Sequence, residues 1–312
     1  MRTEYILLII LAFIFVYLGL CYIFYSKMIH HGGFKNGGLV DQKELFFAKS
    51  YEWFIKVPKE AVHIRGYDGI KLKGVYIPSI NDKSLLTAII LHGYEGQNTD
   101  MAIVAKTYSD LGFKILLPDL RGHGLSEGTF SSFGHYESYD LKKWINFVLR
   151  TYGMTDSILL HGVSMGAATV LLTGAMELPK NIKLIVADSP YKAIAPVFRR
   201  SLKTPLSLIF LPGLSFLTWY WHRFSLMNIN VASAVKKATI PTVFIHGTKD
   251  ALCPYRQTLK MMESSKALFK DIYTVVNAKH AESYKLEKEA IDHWLTKIIE
   301  EQFHQRFKRA KP

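Results

Sequence analysis

The chain has 312 residues, 49% hydrophobic and 13% aromatic, with 39 Lys+Arg against 26 Asp+Glu and a formal net charge of +13. This composition excludes a disordered chain. Its two cysteines, Cys21 and Cys253, exclude a disulfide framework or a cysteine-based metal site, and no metal or cofactor is expected. The positive excess suits either nucleic acid or an anionic membrane, and the placement of the charges decides between them.

Residues 5–25 form an uncharged run, nearly all apolar. A helix of that length covers about 30 Å, the hydrocarbon thickness of a bilayer. The run is longer than the apolar region of a signal peptide and lacks a small-residue cleavage site, so residues 1–30 are expected to be a single-pass anchor. Lys27, Lys35 and Lys43 follow the span and only Arg2 precedes it, so positive-inside counting leans towards a cytoplasmic domain at the cell membrane. Gly32, Gly33, Gly37 and Gly38 suggest a flexible linker, and residues 31–60 are read as linker and lead-in.

From residue 61 to 302 the pattern is that of one α/β domain. Residues 62–77 read as a hairpin around Tyr67-Asp68-Gly69. Apolar runs at 87–91, 114–117, 157–160, 183–187, 242–245 and 272–276 read as buried strands. Leu141, Trp144, Ile145 and Val148, and later Ile291, Trp294, Leu295 and Ile298, recur at helical spacing. Alternating strands and helices predict a mainly parallel sheet covered on both faces.

Gly162-Val163-Ser164-Met165-Gly166 lies between a strand and a run of small and apolar residues, the strand, G-x-S-x-G, helix order of a nucleophile elbow. In that arrangement an acid and then a histidine follow the serine in the chain, at carboxyl ends of strands. Asp250, just past the 242–245 run, fits best, with Asp188 a weaker alternative; Asp271 precedes its strand and Asp292 lies in an amphipathic helix. Of the later histidines, only His280 is on a strand-end loop, since His293 falls on the last helix and His304 in the tail. His92, His161 and His246 each precede a glycine just past a strand and are read as shaping loops. Ser164 would be the nucleophile, His280 its base, and Asp250 the residue fixing the imidazole tautomer. The N–H of Met165 and, from the loop His92-Gly93-Tyr94-Glu95-Gly96, the N–H of Tyr94 would form the oxyanion hole.

These residues resemble the α/β-hydrolase superfamily, and especially its membrane-anchored serine hydrolases similar to monoacylglycerol lipases and serine aminopeptidases. The resemblance covers residues 60–300 and rests on His92-Gly93-Tyr94-x-Gly96, Asp119-Leu120-Arg121-Gly122-His123-Gly124-x-Ser126, the elbow, Gly247-x-x-Asp250 and His280. It implies an eight-stranded, mostly parallel sheet and hydrolysis of an ester, thioester or amide, with a structural role for the Asp119–Ser126 turn. Where the branch often sets its histidine beside a glycine or an acidic residue, this chain has Ala278-Lys279-His280-Ala281.

Residues 190–238 occupy the position of the family's cap. They carry Lys192, Arg199, Arg200, Lys203, Arg223, Lys236 and Lys237 and no acid, together with an aromatic-rich apolar run at 206–221 that Pro212 and Gly213 interrupt. Apart from this insert and a basic tail at 303–312, the chain is nearly neutral. The anionic partner expected is therefore a membrane and not nucleic acid, with a small-molecule or lipid acyl substrate and an unspecified oligomeric state. An esterase or lipase is the leading expectation. An aminopeptidase, which would need an acidic subsite, and a non-catalytic anchored module are the alternatives.

Overall fold

The computed structural model describes residues 2–30, 45–201 and 207–307. The glycine-bearing linker, Lys203 and the last five residues of the tail lie outside them. In chain order the elements are α1 (Arg2–Met28), α2 (Leu45–Lys56), β1 (Glu60–Arg65), β2 (Lys71–Ile77), β3 (Leu86–Leu91), α3 (Ala102–Asp110), β4 (Lys114–Pro118), α4 (His135–Thr151), β5 (Ser157–Val163) and α5 (Met165–Gly174). They continue with β6 (Ile182–Asp188), α6 (Ile194–Ser201), α7 (Ser207–His222), α8 (Val231–Val235), β7 (Thr242–Gly247), α9 (Tyr255–Ser264), β8 (Lys270–Val275) and α10 (Ser283–Gln302).

Among the described residues the strands form one eight-stranded sheet in the order β1-β2-β4-β3-β5-β6-β7-β8. The β1–β2 hairpin and the β2–β4 pair are antiparallel, and all remaining neighbours are parallel. Strands β3 and β7 are buried along their whole length because helices cover both faces, and this is why each reads as a continuous apolar run. One face packs on α4 and α5 through Trp144, Ile145, Val148 and Val170. The other packs on α3 and α10 through Tyr108, Ile291, Leu295 and Ile298.

Two segments do more than their sequences suggest. The lead-in contains α2, whose Phe54 is buried in the second core and whose Trp53 ring lies 5.8 Å from Lys106 Nζ. The described start of the tail also packs inward: the rings of Phe303 and Phe307 lie 5.6 and 6.1 Å from that of Phe113. Helix α1 is long and apolar enough to cross a membrane by length and composition, and most of its side chains are exposed.

The Asp119–Ser126 turn is a structural knot. The buried Asp119 carboxylate accepts the N–H groups of Asn98 and Leu125 at 2.8 and 2.9 Å. Gly124 (φ +51°) is obligatory there, because a Cβ would fall 2.3 Å from Asp119 Cγ. Arg121 is buried and donates to both oxygens of Asp140, at 2.8 and 3.0 Å, and to Asp68 at 2.9 Å. Paired in this way, its charge is tolerated in the interior, where leaving it alone would cost several kcal/mol.

Candidate active site

The elbow is tight because backbone crosses backbone at both glycines. A Cβ on Gly162 would lie 2.1 Å from the Gly166 carbonyl oxygen, and one on Gly166 would lie 2.4 Å from the Leu91 oxygen. Between them Ser164 has φ +55° and ψ −111°, a strained conformation for a non-glycine residue. Its N–H donates to the Asp188 carbonyl at 2.8 Å, fixing the turn against the end of β6.

Ser164 Oγ is 2.8 Å from His280 Nε2, and His280 Nδ1 is 2.7 Å from Asp250 Oδ2. Three loops, after β5, β7 and β8, thus bring together side chains 116 and 30 residues apart in sequence. With Asp250 accepting at Nδ1–H, Nε2 is left able to accept the serine proton.

The Asp250 carboxylate is buried and held from several sides. Oδ1 accepts the N–H groups of Leu252 and Cys253 at 2.9 and 2.7 Å. His246 Nε2 lies 3.2 Å from Oδ2 and 2.6 Å from the Cys253 carbonyl, while Thr258 Oγ1 meets Nδ1 at 2.9 Å. Burial alone would raise the Asp250 pKa, but the hydrogen bonds from His246 and His280, the His280 charge and the Cys253 N–H outweigh it. The carboxyl is held well below the usual carboxylate range. His246 therefore shapes the loop, as its strand-end position suggests, and in addition clasps the acid. Its spacing of four residues before Asp250 was the available signal.

Asp188, the weaker acid in sequence, is not hydrogen-bonded to His280. Its Oδ1 accepts from Ser189 Oγ at 2.8 Å and from Ser283 Oγ at 3.2 Å, while Ala281 N–H donates to Ser189 Oγ at 3.4 Å. This network braces the loop on the far side of His280. Asp271 meets Trp294 and Asp292 meets Thr107, both away from the site. Ala281 takes φ +58° directly after His280, and Glu282 accepts the Lys279 N–H at 3.1 Å, so an acid two residues on closes the turn.

Met165 is the first residue of α5, so its N–H has no intrahelical acceptor. The loop bearing Tyr94 is set by His92, whose Nδ1 lies 2.7 Å from the Gly93 oxygen and whose Nε2 accepts the Leu120 N–H at 3.0 Å. Burial pushes the His92 pKa down to about 4 and that of His161 to about 3, so both are neutral structural groups near neutral pH. Tyr94 Oη donates to the Met28 carbonyl at the end of α1 at 2.8 Å, and its ring stacks on Phe133 at 5.4 Å. Ser131 joins the same region, its N–H meeting the Ile29 oxygen at 3.1 Å and its Oγ the Met165 sulfur at 3.2 Å.

Asp250, Cys253 and His280 each place a ligand-type atom within 4.8 Å of the others. The donor set suits a metal poorly. Burial pushes the Cys253 thiol up and keeps it protonated, and the imidazole and carboxylate are committed to each other.

Comparison with known proteins agrees with this architecture. Residues 89–212 match the family model described as alpha/beta hydrolase fold. The chain is similar to the uncharacterized protein YqkD of Bacillus subtilis (strain 168), 28% identical over 238 residues, which cover 75% of this chain and 77% of that protein. It is also similar to the uncharacterized protein YfhR of Escherichia coli (strain K12), 26% identical over 211 residues, 66% of this chain and 68% of that one. Among solved structures, the Pyrococcus furiosus esterase Pf2001 superposes with a TM-score of 0.67 at 22% identity, covering 86% of this chain and 96% of that chain. Est1E from Butyrivibrio proteoclasticus, with ferulic acid bound, gives 0.64 at 22% identity over 78% and 100%. With its sheet order, its helices on both faces and the family-model match over residues 89–212, the chain has the α/β-hydrolase fold.

Proposed function

We propose that the protein is a membrane-anchored serine hydrolase that cleaves carboxylic esters through an acyl-enzyme. One observation carries the reading: the hydrogen-bonded chain from Ser164 through His280 to Asp250, at the carboxyl ends of parallel strands. Ser164 Oγ attacks the acyl carbonyl as its proton passes to His280 Nε2. The developing oxyanion is met by the N–H groups of Met165 and Tyr94, and His280 returns the proton to the departing alcohol oxygen. Water then attacks the acyl-serine with the same base, releasing the acid and restoring Ser164.

Several features favour an ester over an amide with a free amine. The 190–238 insert contains no Asp or Glu to receive an ammonium group, and the structural neighbours named above include the Pyrococcus furiosus esterase Pf2001. Helix α1 supplies the anchor, with the domain on the side that Lys27, Lys35 and Lys43 favour. An acyl substrate of small-molecule or lipid type fits the apolar insert, and no cofactor enters the scheme.

A panel of short and long p-nitrophenyl esters beside aminoacyl amides tests the reading. Ester hydrolysis should dominate and should fall by roughly 10⁴-fold or more in Ser164→Ala. Hydrolysis at the wild-type rate in that variant would remove the nucleophile from the scheme. Preference for aminoacyl amides over every ester would make the protein an amidase.

A further inference from the structure

Helix α7 has an outward face that is wrong for water. Leu211, Leu214 and Leu217 are buried against the domain, whereas Leu208, Ile209, Phe216, Trp219 and Tyr220 point outward. Phe216, Trp219 and Tyr220 are 48, 51 and 57% exposed, and no residue from 207 to 222 carries a formal charge. Helices of soluble domains turn charged residues to solvent, and a contiguous apolar stripe of this kind marks a contact with another phase or molecule.

The contacts with α1 indicate which. Tyr17 Oη donates to the Ile209 carbonyl at 2.8 Å and accepts the Gly213 N–H at 3.1 Å, bridging two groups that a regular helix would pair directly. The helices touch closely at this point: a Cβ on Gly213 would lie 2.3 Å from Cys21 Sγ and 2.9 Å from Tyr17 Oη, so a side chain there would push both aside. Tyr17 lies 11 residues before the end of α1 at Met28, about 16 Å along the axis, or roughly half the hydrocarbon thickness. If α1 spans, the Ile209 end of α7 reaches well into the bilayer beside it.

Aromatic contacts join the two helices along their shared length. The Phe210 ring meets those of Tyr17 and Phe24 at 6.4 and 4.8 Å. Towards the domain, Trp221 meets Tyr22 and Tyr25 at 5.7 and 4.8 Å. Lys27 ends α1 at that level, and Arg223 follows α7 with its guanidinium 5.7 Å from the Trp219 ring. Tryptophan and tyrosine beside cations at the domain end of the two helices is the pattern of a membrane interface.

We propose that α7 is embedded in the same leaflet as the C-terminal half of α1, its Phe216-Trp219-Tyr220 face in contact with phospholipid, so that the 190–238 insert is itself a membrane element. This rests on α1 being the anchor. Lipid, and not a second copy of the chain, is the occupant because the stripe continues the exposed apolar surface of α1.

The test uses the full-length chain reconstituted in phosphatidylcholine and phosphatidylglycerol vesicles, with and without brominated acyl chains, and compares wild type with Trp219→Phe/Trp221→Phe. Three other tryptophans, Trp53, Trp144 and Trp294, serve as the internal background. Bromination should quench wild-type emission, and the double variant should lose at least half of that quenching. Equal quenching in both proteins, or none in wild type, overturns the proposal; so does shielding of both tryptophans from bromolipid and from aqueous acrylamide alike, which would indicate a protein partner. Extraction with alkaline carbonate separates the two levels. Retention without quenching sinks the α7 proposal alone, and release without quenching sinks the anchor with it. Release with quenching keeps α7 on lipid and removes α1 as the anchor.

Discussion

The hydroxyl of Tyr94 donates to the carbonyl of Met28 at 2.8 Å, joining the loop after β3 to the last turn of α1. The loop proposed to supply an oxyanion donor is therefore held by the end of α1 as well as by the domain. Tyr94→Phe keeps the main-chain N–H and removes only this tether. A hydrogen bond of this kind is worth about 1 kcal/mol, so kcat on a p-nitrophenyl ester should fall about fivefold. Unchanged kcat would show that the loop is held without α1.

Gly162 cannot carry a side chain. An added Cβ would meet the Gly166 oxygen at 2.1 Å and the Ala167 nitrogen at 2.6 Å, both backbone atoms that cannot rotate away. Gly162→Ala should cost about 3 kcal/mol and lower Tm by roughly 5–10 °C, with loss of esterase activity. A variant with wild-type Tm and activity would mean that the elbow is less tightly crossed than described.

Asp188 makes stability depend on pH in a defined direction. Burial pushes its carboxyl up to about 6, against the opposing hydrogen bonds of Ser189 and Ser283 and the nearby His246 and His280. An unfolded chain ionises it near pH 3.9, so between about pH 4 and 6 the native state binds more protons and its stability falls as pH rises. The buried group's contribution is complete below about pH 4 and lost above about pH 6, amounting to about 3 kcal/mol. Asp188→Asn does not titrate. Measured by denaturant unfolding, its stability relative to wild type should therefore improve by about that amount from pH 3.5 to pH 7.5. A gap that stays constant with pH would contradict the raised carboxyl.

Local pattern carried much of the architecture. The apolar runs became the parallel strands, and Tyr67-Asp68-Gly69 became the turn between β1 and β2, because each signal is contained within a few residues. Chain order together with strand-end position pointed to His280 and Asp250, which the structure places 2.7 Å apart. Contacts between distant segments were not legible. Nothing in the sequence around Gly213 announces that Cys21 occupies its side-chain space, and the linker composition hides α2 and its buried Phe54. The Asp188–Ser283 brace was hidden for the same reason, since its partners are 95 residues apart and neither belongs to a motif.

The central claim is that Ser164 is a nucleophile activated by His280. It is tested most directly by treating the full-length protein with a fluorophosphonate and mapping the adduct by peptide mass spectrometry. A single phosphonylated residue, Ser164, is expected. Labelling should be absent in Ser164→Ala and strongly slowed in His280→Ala, with wild-type circular dichroism in both. An adduct that persists in Ser164→Ala, or a folded wild-type protein that takes no label, would contradict the account.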